Sequence, residues 1–201
     1  MSGADRETLD CYAEQARDYA RITGGDFSAA DLDRFVAALP AGDGPVLDWG
    51  AGPGHDAARL IAHGLDCEAS DASPEMVALM AEKGVSGRCE TFDALEPVPR
   101  YRGIWANFSL LHAEEGALAG LIERAADALL PKGVLHLGMK RGQGTRRDSL
   151  GRRYVYVEAA DLDRMTGQAG LERIALAHGR SVGLSGEVAD HVIHVSRKRD
   201  A

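Results

Sequence analysis

The chain holds only three cysteines in 201 residues, and their placement excludes several chemistries. Cys11, Cys67 and Cys89 are odd in number and lack metal-ligand spacing, so neither a zinc site nor a closed disulfide framework is expected. They fit reduced thiols. With a polar, acidic stretch over residues 1–10 that is unlike a secretory signal, they lead us to expect a cytoplasmic protein. No apolar run approaches about 18 residues, so no membrane span is expected. Basic residues are in deficit, 23 Lys and Arg against 31 Asp and Glu. That balance argues against a general nucleic-acid surface. The seven histidines show no metal spacing. His191 and His194 are three apart but sit in an alternating, strand-like run, so no metal is expected. Internal repeats and low-complexity tracts are missing. What remains, 45% apolar and 27% charged, suits a globular protein with one substantial core.

The most informative segment is Val46-Leu-Asp-Trp-Gly-Ala-Gly-Pro-Gly54. A short apolar run ends in Asp48, and glycines follow at 50, 52 and 54. Glycine tolerates positive φ and lets a ligand approach bare backbone. A helix beginning near His55 would add free N–H groups and the positive end of its dipole. A dinucleotide loop would read G-x-G-x-x-G. Here the third dinucleotide position is His55, which disfavours a nicotinamide-dependent oxidoreductase.

Around this loop the chain alternates strands and helices. Apolar periodicity predicts a helix over residues 5–23 and a second one, capped by Ser28, with Leu32, Phe35, Val36 and Leu39 on its buried stripe. Helices follow over 55–63, 74–83 (capped by Ser73, with Pro74 in the first turn), 116–130 and 160–169. Strands are read at 46–48, 66–70, 87–92, 104–107, 134–139, 171–177 and 188–196. The turn Pro131-Lys-Gly133 separates the 116–130 helix from its strand. Such alternation implies an α/β fold with a mostly parallel sheet. The last two strands have no helix between them, which permits one antiparallel strand near the C-terminus.

Acids or amides close successive strands: Asp48, Asp71, Asp93 and Asn107. Open α/β sheets bind ligands at these ends. With the acid-x-G-x-G-x-G loop, the order resembles that of class I S-adenosylmethionine-dependent methyltransferases of the small-molecule type. The resemblance extends over nearly the whole chain. It implies a Rossmann-like, doubly wound, seven-stranded sheet with helices on both faces. It also implies one methyltransferase domain: a helical cover over 1–44, a cofactor-binding core over 45–140, and a substrate-side loop with C-terminal strands over 141–201. The implied cofactor is S-adenosyl-L-methionine. The family's pattern places Asp48, Gly50, Ala51, Gly52 and Gly54 at its methionine end. Asp71, 17 residues beyond Gly54, matches the ribose acid. Asp93 matches the acid that accepts from the adenine amino group, with Ala72 and Phe92 beside the ring. Asn107 also falls on the cofactor side. Tyr12-Ala-Glu-Gln-Ala-Arg-Asp-Tyr19 resembles the family's covering helix, so Tyr12 and Tyr19 are either lid residues or a core aromatic stripe. Trp49 and Pro53 depart from the family pattern. Trp49 suits packing beneath the loop, and Pro53 removes one N–H donor.

The expected activity is methyl transfer to a small molecule by in-line displacement. The alternative is a non-catalytic S-adenosylmethionine-binding regulatory or partner protein. His112 follows the fourth strand and is the candidate general base, against a pocket-wall role. Asn107 is a second catalytic candidate, and Ser109 shares its turn. His112, Arg141 and Tyr154 are candidate substrate contacts, with Tyr156 in reserve. Residues 140–153 are locally basic. They form either a mobile lid whose arginines recognise a carboxylate or phosphate, or a solvated loop paired with acidic neighbours. Amino-methylating DNA enzymes carry Asn/Asp-Pro-Pro-Tyr/Phe after strand four, which is missing here. No cysteine stands where a cytosine C5 enzyme needs one. We therefore expect a small-molecule substrate, no nucleic-acid or membrane partner, and a monomer or homodimer.

Overall fold

The computed structural model of the chain describes residues 5–25, 27–114 and 116–200. Residues 1–4 of the acidic N-terminal stretch lie outside them. Three helices come first: α1 (Arg6–Glu14), α2 (Ala16–Thr23) and α3 (Ala29–Ala38). Strand β1 (Val46–Trp49), helix α4 (His55–Ala62), β2 (Cys67–Asp71), α5 (Pro74–Glu82) and β3 (Gly87–Cys89) follow. Then come β4 (Tyr101–Asn107), α6 (Leu118–Ala128), β5 (Leu129–Lys140), β6 (Thr145–Arg147) and β7 (Arg153–Val155). The chain ends with α7 (Ala159–Gln168), β8 (Leu171–Val182) and β9 (Val188–Lys198).

Seven strands form one sheet in the order β3-β2-β1-β4-β5-β9-β8. β1 pairs in parallel with β2 and β4, β2 with β3, and β4 with β5. β9 runs antiparallel to both of its neighbours. Side chains alternate across each strand and so feed two cores. Leu47, Trp49, Ile104, Leu135 and Leu137 pack with Ile122 and Ala125 of α6. Val46, Trp105 and Val134 pack on the opposite face with Leu32, Phe35 and Leu60. Burial on both faces explains why these strands read as apolar runs. The chain leaves β1 toward β2 on one side and returns to β4 on the other. That switch point opens a crevice at the strands' C-terminal edge.

Four local expectations are corrected. The first helix breaks at Gln15 (φ −109°, ψ 14°), although neither Gly nor Pro stands there. Its two halves have different anchors: Asp5 and Thr8 bind the β6–β7 hairpin, whereas Arg17 reaches Glu82 beyond the middle of α5. Ser28 stands at the cap position of α3 without a capping bond, because its hydroxyl donates to Asp56. Ser73 does cap α5, accepting from the Met76 N–H at 3.3 Å. Pro131-Lys-Gly133 lies within β5: Leu129 pairs with Tyr101, Val134 with Gly103, and the residues between bulge outward with Lys132 at φ 64°. Finally, β8 continues to Val182, because β9 supplies a backbone partner along its full length.

Candidate active site

At the crevice, β1 ends in Asp48-Trp49 and the glycine loop turns toward α4. Gly50 has φ +79°, and a Cβ there would stand 2.5 Å from Ser109 Cβ and 3.1 Å from Phe92 Cε1. Only glycine fits. Gly52 (φ +53°) sits beneath the Tyr19 ring. The loop does not offer the row of free N–H groups expected from its sequence. Gly50 and Ala51 both donate to the Ser70 carbonyl (2.9 and 2.8 Å), Gly54 donates to Ala51, and Gly52 donates to Asp71 Oδ2 at 2.8 Å. The end of β2 consumes these donors, so the loop shapes the cavity more than it binds by hydrogen bonds. Trp49 is buried beneath it, edge-on to Phe92 at 5.4 Å between centroids.

Two adjoining cavities of about 100 and 270 Å³ share Tyr12, Tyr19, Gly50, Gly52, Phe108 and His112 as walls. Asp71, Ala72, Thr91 and Phe92 line the smaller one. Asp71 Oδ1 accepts from the Ser73 N–H at 2.9 Å, which fixes the carboxylate at the cavity wall. Burial raises its pKa against these backbone donors. Asp93 lies outside both linings. Its exposed carboxylate accepts from the Thr91 hydroxyl, and the wall there is made by Glu90, Thr91 and Phe92. Gly54 also lies outside, packed on Met80 at the start of α4.

Asp48, Ala51, Asn107 and Tyr154 line the larger cavity. Asp48 is 3% exposed, and its Oδ2 has no hydrogen-bond partner among the described residues. Burial pushes its pKa well up, the Asp56 carboxylate adds to this, and the Ala57 N–H opposes it. Such an oxygen is costly to bury unless a ligand donor or cation meets it. Asp56, not singled out from the sequence, organises the floor. It accepts from Ser28 Oγ, Arg59 Nη1 (3.1 Å), Trp105 Nε1 (3.0 Å) and Asn107 Nδ2 (3.4 Å). Asn107 Oδ1 meets His136 Nε2 at 3.2 Å, so both ends of this amide are engaged within the protein.

The roof joins distant parts of the chain. His112 Nδ1 lies 2.8 Å from the Arg153 carbonyl and must donate to it, which leaves Nε2 to accept from the Tyr12 hydroxyl at 2.9 Å. Arg152 Nη1 donates to the same hydroxyl at 3.1 Å. Arg152 is itself clasped by Asp148, and the two side chains are 2% and 1% exposed. The basic stretch is therefore an ordered two-stranded hairpin, not a free loop. Arg141 pairs with Asp190 and lies outside both linings. Lys140, at the end of β5, points its ammonium at the Tyr154 ring, 3.5 Å from the centroid. Its place at a strand end was the available signal, the same one that marks Asp48, Asp71 and Asn107.

Burial holds His112 neutral, with its pKa lowered from 6.5 to about 4, and holds His136 near 3. Because the folded values are depressed, the unfolded chain takes up these protons first. The stability present above pH 6.5 is lost as pH falls toward 4, by about 2 kcal/mol from each histidine at pH 5. Urea midpoints at pH 7 and pH 5 should show this fall, and His112→Gln should remove about half of it.

Residues 46–133 match the family model described as a methyltransferase domain. No curated protein matches the sequence. Among solved structures, the chain is similar to 1,6-didemethyltoxoflavin-N1-methyltransferase from Burkholderia thailandensis, with bound 1,6-didemethyltoxoflavin and S-adenosylhomocysteine. The two share 20% identity and a TM-score of 0.73, covering 96% of this chain and 88% of that one. The CcbJ methyltransferase from Streptomyces caelestis aligns at 21% identity and TM-score 0.71, over 98% and 100% of the two chains. The [4+2]-cyclase SpnF aligns at 19% identity and TM-score 0.64, over 86% and 81%. The fold is that of the class I S-adenosylmethionine-dependent methyltransferases. The likeness to a cyclase shows that the fold alone does not fix the reaction.

Proposed function

We propose that the protein binds S-adenosylmethionine and transfers its methyl group to a small-molecule acceptor by in-line displacement. The observation that carries this reading is the orphaned, buried Asp48 oxygen beside Gly50 and Gly52, in a cavity continuous with the Asp71 pocket. A donor-bearing cation, such as the cofactor's methionine ammonium, suits that oxygen directly or through water. Asp71 would accept from the ribose hydroxyls. Ala72, Thr91 and Phe92 would flank the adenine, with Asp93 acting through the Thr91 hydroxyl it holds. Tyr12 and Tyr19 would cover the cofactor from the α1–α2 side, consistent with a lid role for residues 1–44.

When bound, the cofactor supplies an electrophilic methyl carbon. The protein's task is then alignment, worth roughly 7–11 kcal/mol in well-arranged systems. Asn107, fixed at both ends, is a rigid wall beside the reacting atoms. His112 reaches the cavity behind the Tyr12 hydroxyl, so a proton leaving the acceptor would pass to Tyr12 as Tyr12 passes its own to Nε2. With a pKa near 4, His112 is a weak acceptor for that proton. The arrangement favours acceptors that are already nucleophilic.

Calorimetry with S-adenosylhomocysteine should give a dissociation constant well below millimolar, and thermal shift should rank it above NADH. No binding below millimolar overturns the reading. Tight binding with no product from a broad acceptor panel would instead favour a non-catalytic, cofactor-binding partner protein.

A further inference from the structure

The segment from Lys140 to Arg153 carries six basic residues, and the structure accounts for their charges separately. Arg141 pairs with Asp190, Arg147 with Asp5 and Glu7, Arg152 with Asp148, and Arg153 with Asp5. Arg146 lies over the Tyr156 ring and outside both cavity linings. Lys140 is different. It lines the larger cavity, and no carboxylate among the described residues pairs with its ammonium; what holds it is the Tyr154 ring. The cavity is also polarised. Asp48 and Asp56 stand on the glycine-loop side, and the cations Lys140 and Arg152 stand on the hairpin side. Phe27, Phe108, Tyr154 and His191 supply flat ring surfaces to the same cavity.

We propose that Lys140 anchors the acceptor, and that the acceptor is a flat, acidic molecule whose ionised group sits on the Lys140 ammonium while its ring lies against the aromatic walls. The word acceptor rests on the methyltransferase reading above; the anion site does not. A half-buried ammonium without a counter-ion gains from a ligand anion that fills the vacant role. An acceptor that arrives ionised also removes the need for a strong base, in keeping with the neutral, weakly basic His112.

Binding of matched probes tests this without turnover. Benzoate, phenyl phosphate and neutral benzamide are titrated by NMR into the wild-type chain, with and without S-adenosylhomocysteine. The same titrations follow for Lys140→Met and Lys140→Arg. The expected result is benzoate or phenyl phosphate at least tenfold tighter than benzamide in the wild type. That advantage should be lost in Lys140→Met and largely kept in Lys140→Arg, with benzamide unchanged throughout. Whichever acid binds more tightly identifies the ionised group, and either supports the site. Equal binding of acid and amide, an acid advantage that survives Lys140→Met, or no binding of either acid overturns the proposal. If Lys140→Met does not fold, Lys140→Gln takes its place. S-adenosylhomocysteine affinity, measured on the same proteins, reports the cofactor reading separately: its loss in the wild type sinks that reading while the Lys140 comparison still stands.

Discussion

Replacing Asp71 with alanine should weaken S-adenosylhomocysteine binding about a hundredfold in calorimetry, equivalent to about 2.7 kcal/mol. The side chain stands at the end of β2, where two backbone N–H groups, from Gly52 and Ser73, already hold one oxygen each. An ionised carboxylate has about four acceptor sites, so capacity remains for two ribose hydroxyls. Hydrogen bonds to a charged group contribute roughly 1.5–3 kcal/mol each. Losing both, less what water restores, gives the expected size. Asp71→Asn should also bind poorly, because its NH2 must face either the Gly52 or the Ser73 donor. A urea midpoint on each variant separates loop damage from lost contact. An affinity within threefold of wild type in Asp71→Ala would remove this residue from the site.

Asp148→Ala should destabilise the fold by about 3–5 kcal/mol, the range for breaking a buried ion pair from one side. Asp148 Oδ2 accepts from both Nε and Nη2 of Arg152 (3.0 and 2.6 Å), and Oδ1 accepts from the Leu150 and Arg152 backbone N–H groups (3.0 Å each). Removing the carboxylate leaves a guanidinium, 2% exposed, without its counter-ion. Burial disfavours the charged Asp148, yet Arg152 outweighs this and keeps the carboxyl below its usual range. Chemical denaturation reads the loss directly. Asp148→Leu combined with Arg152→Met should recover most of it, because an apolar pair of similar volume carries no desolvation cost. A loss below 1 kcal/mol in Asp148→Ala would mean that the hairpin is open to solvent.

The sheet was legible because its strands combine two strong local signals. β1, β4 and most of β5 are apolar runs buried on both faces, and Asp48, Asp71 and Asn107 mark where β1, β2 and β4 meet the crevice. The glycine loop was legible for the same local reason, since positive φ demands glycine. Its donors were misjudged, because the Ser70 carbonyl that consumes two of them lies on another strand. The roof was illegible in principle. Asp148 and Arg152 read as solvated charges, and nothing local tells a buried ion pair from an exposed one. Pro131-Lys-Gly133 looked like a stop, but pairing of Leu129 with Tyr101 starts β5 on the near side of it. Asp56 gave only the weak signal of an acid in a first helical turn, and its four donors come from residues 28, 59, 105 and 107.

The roof also sets an order of assembly in time. Its bonds join Tyr12 to His112, Tyr12 to Arg152, Thr8 to Arg153, and Asp5 to Arg147, across 100, 140, 145 and 142 positions of sequence. The glycine loop needs only the neighbouring ends of β2 and β4. Closing a long loop costs entropy before any contact repays it. The floor of the cavity is therefore expected to form before its ceiling joins the two ends of the chain. Within the first helical segment, Asp5 and Thr8 meet their partners only in the last third of the sequence, whereas Arg17 meets Glu82 of α5.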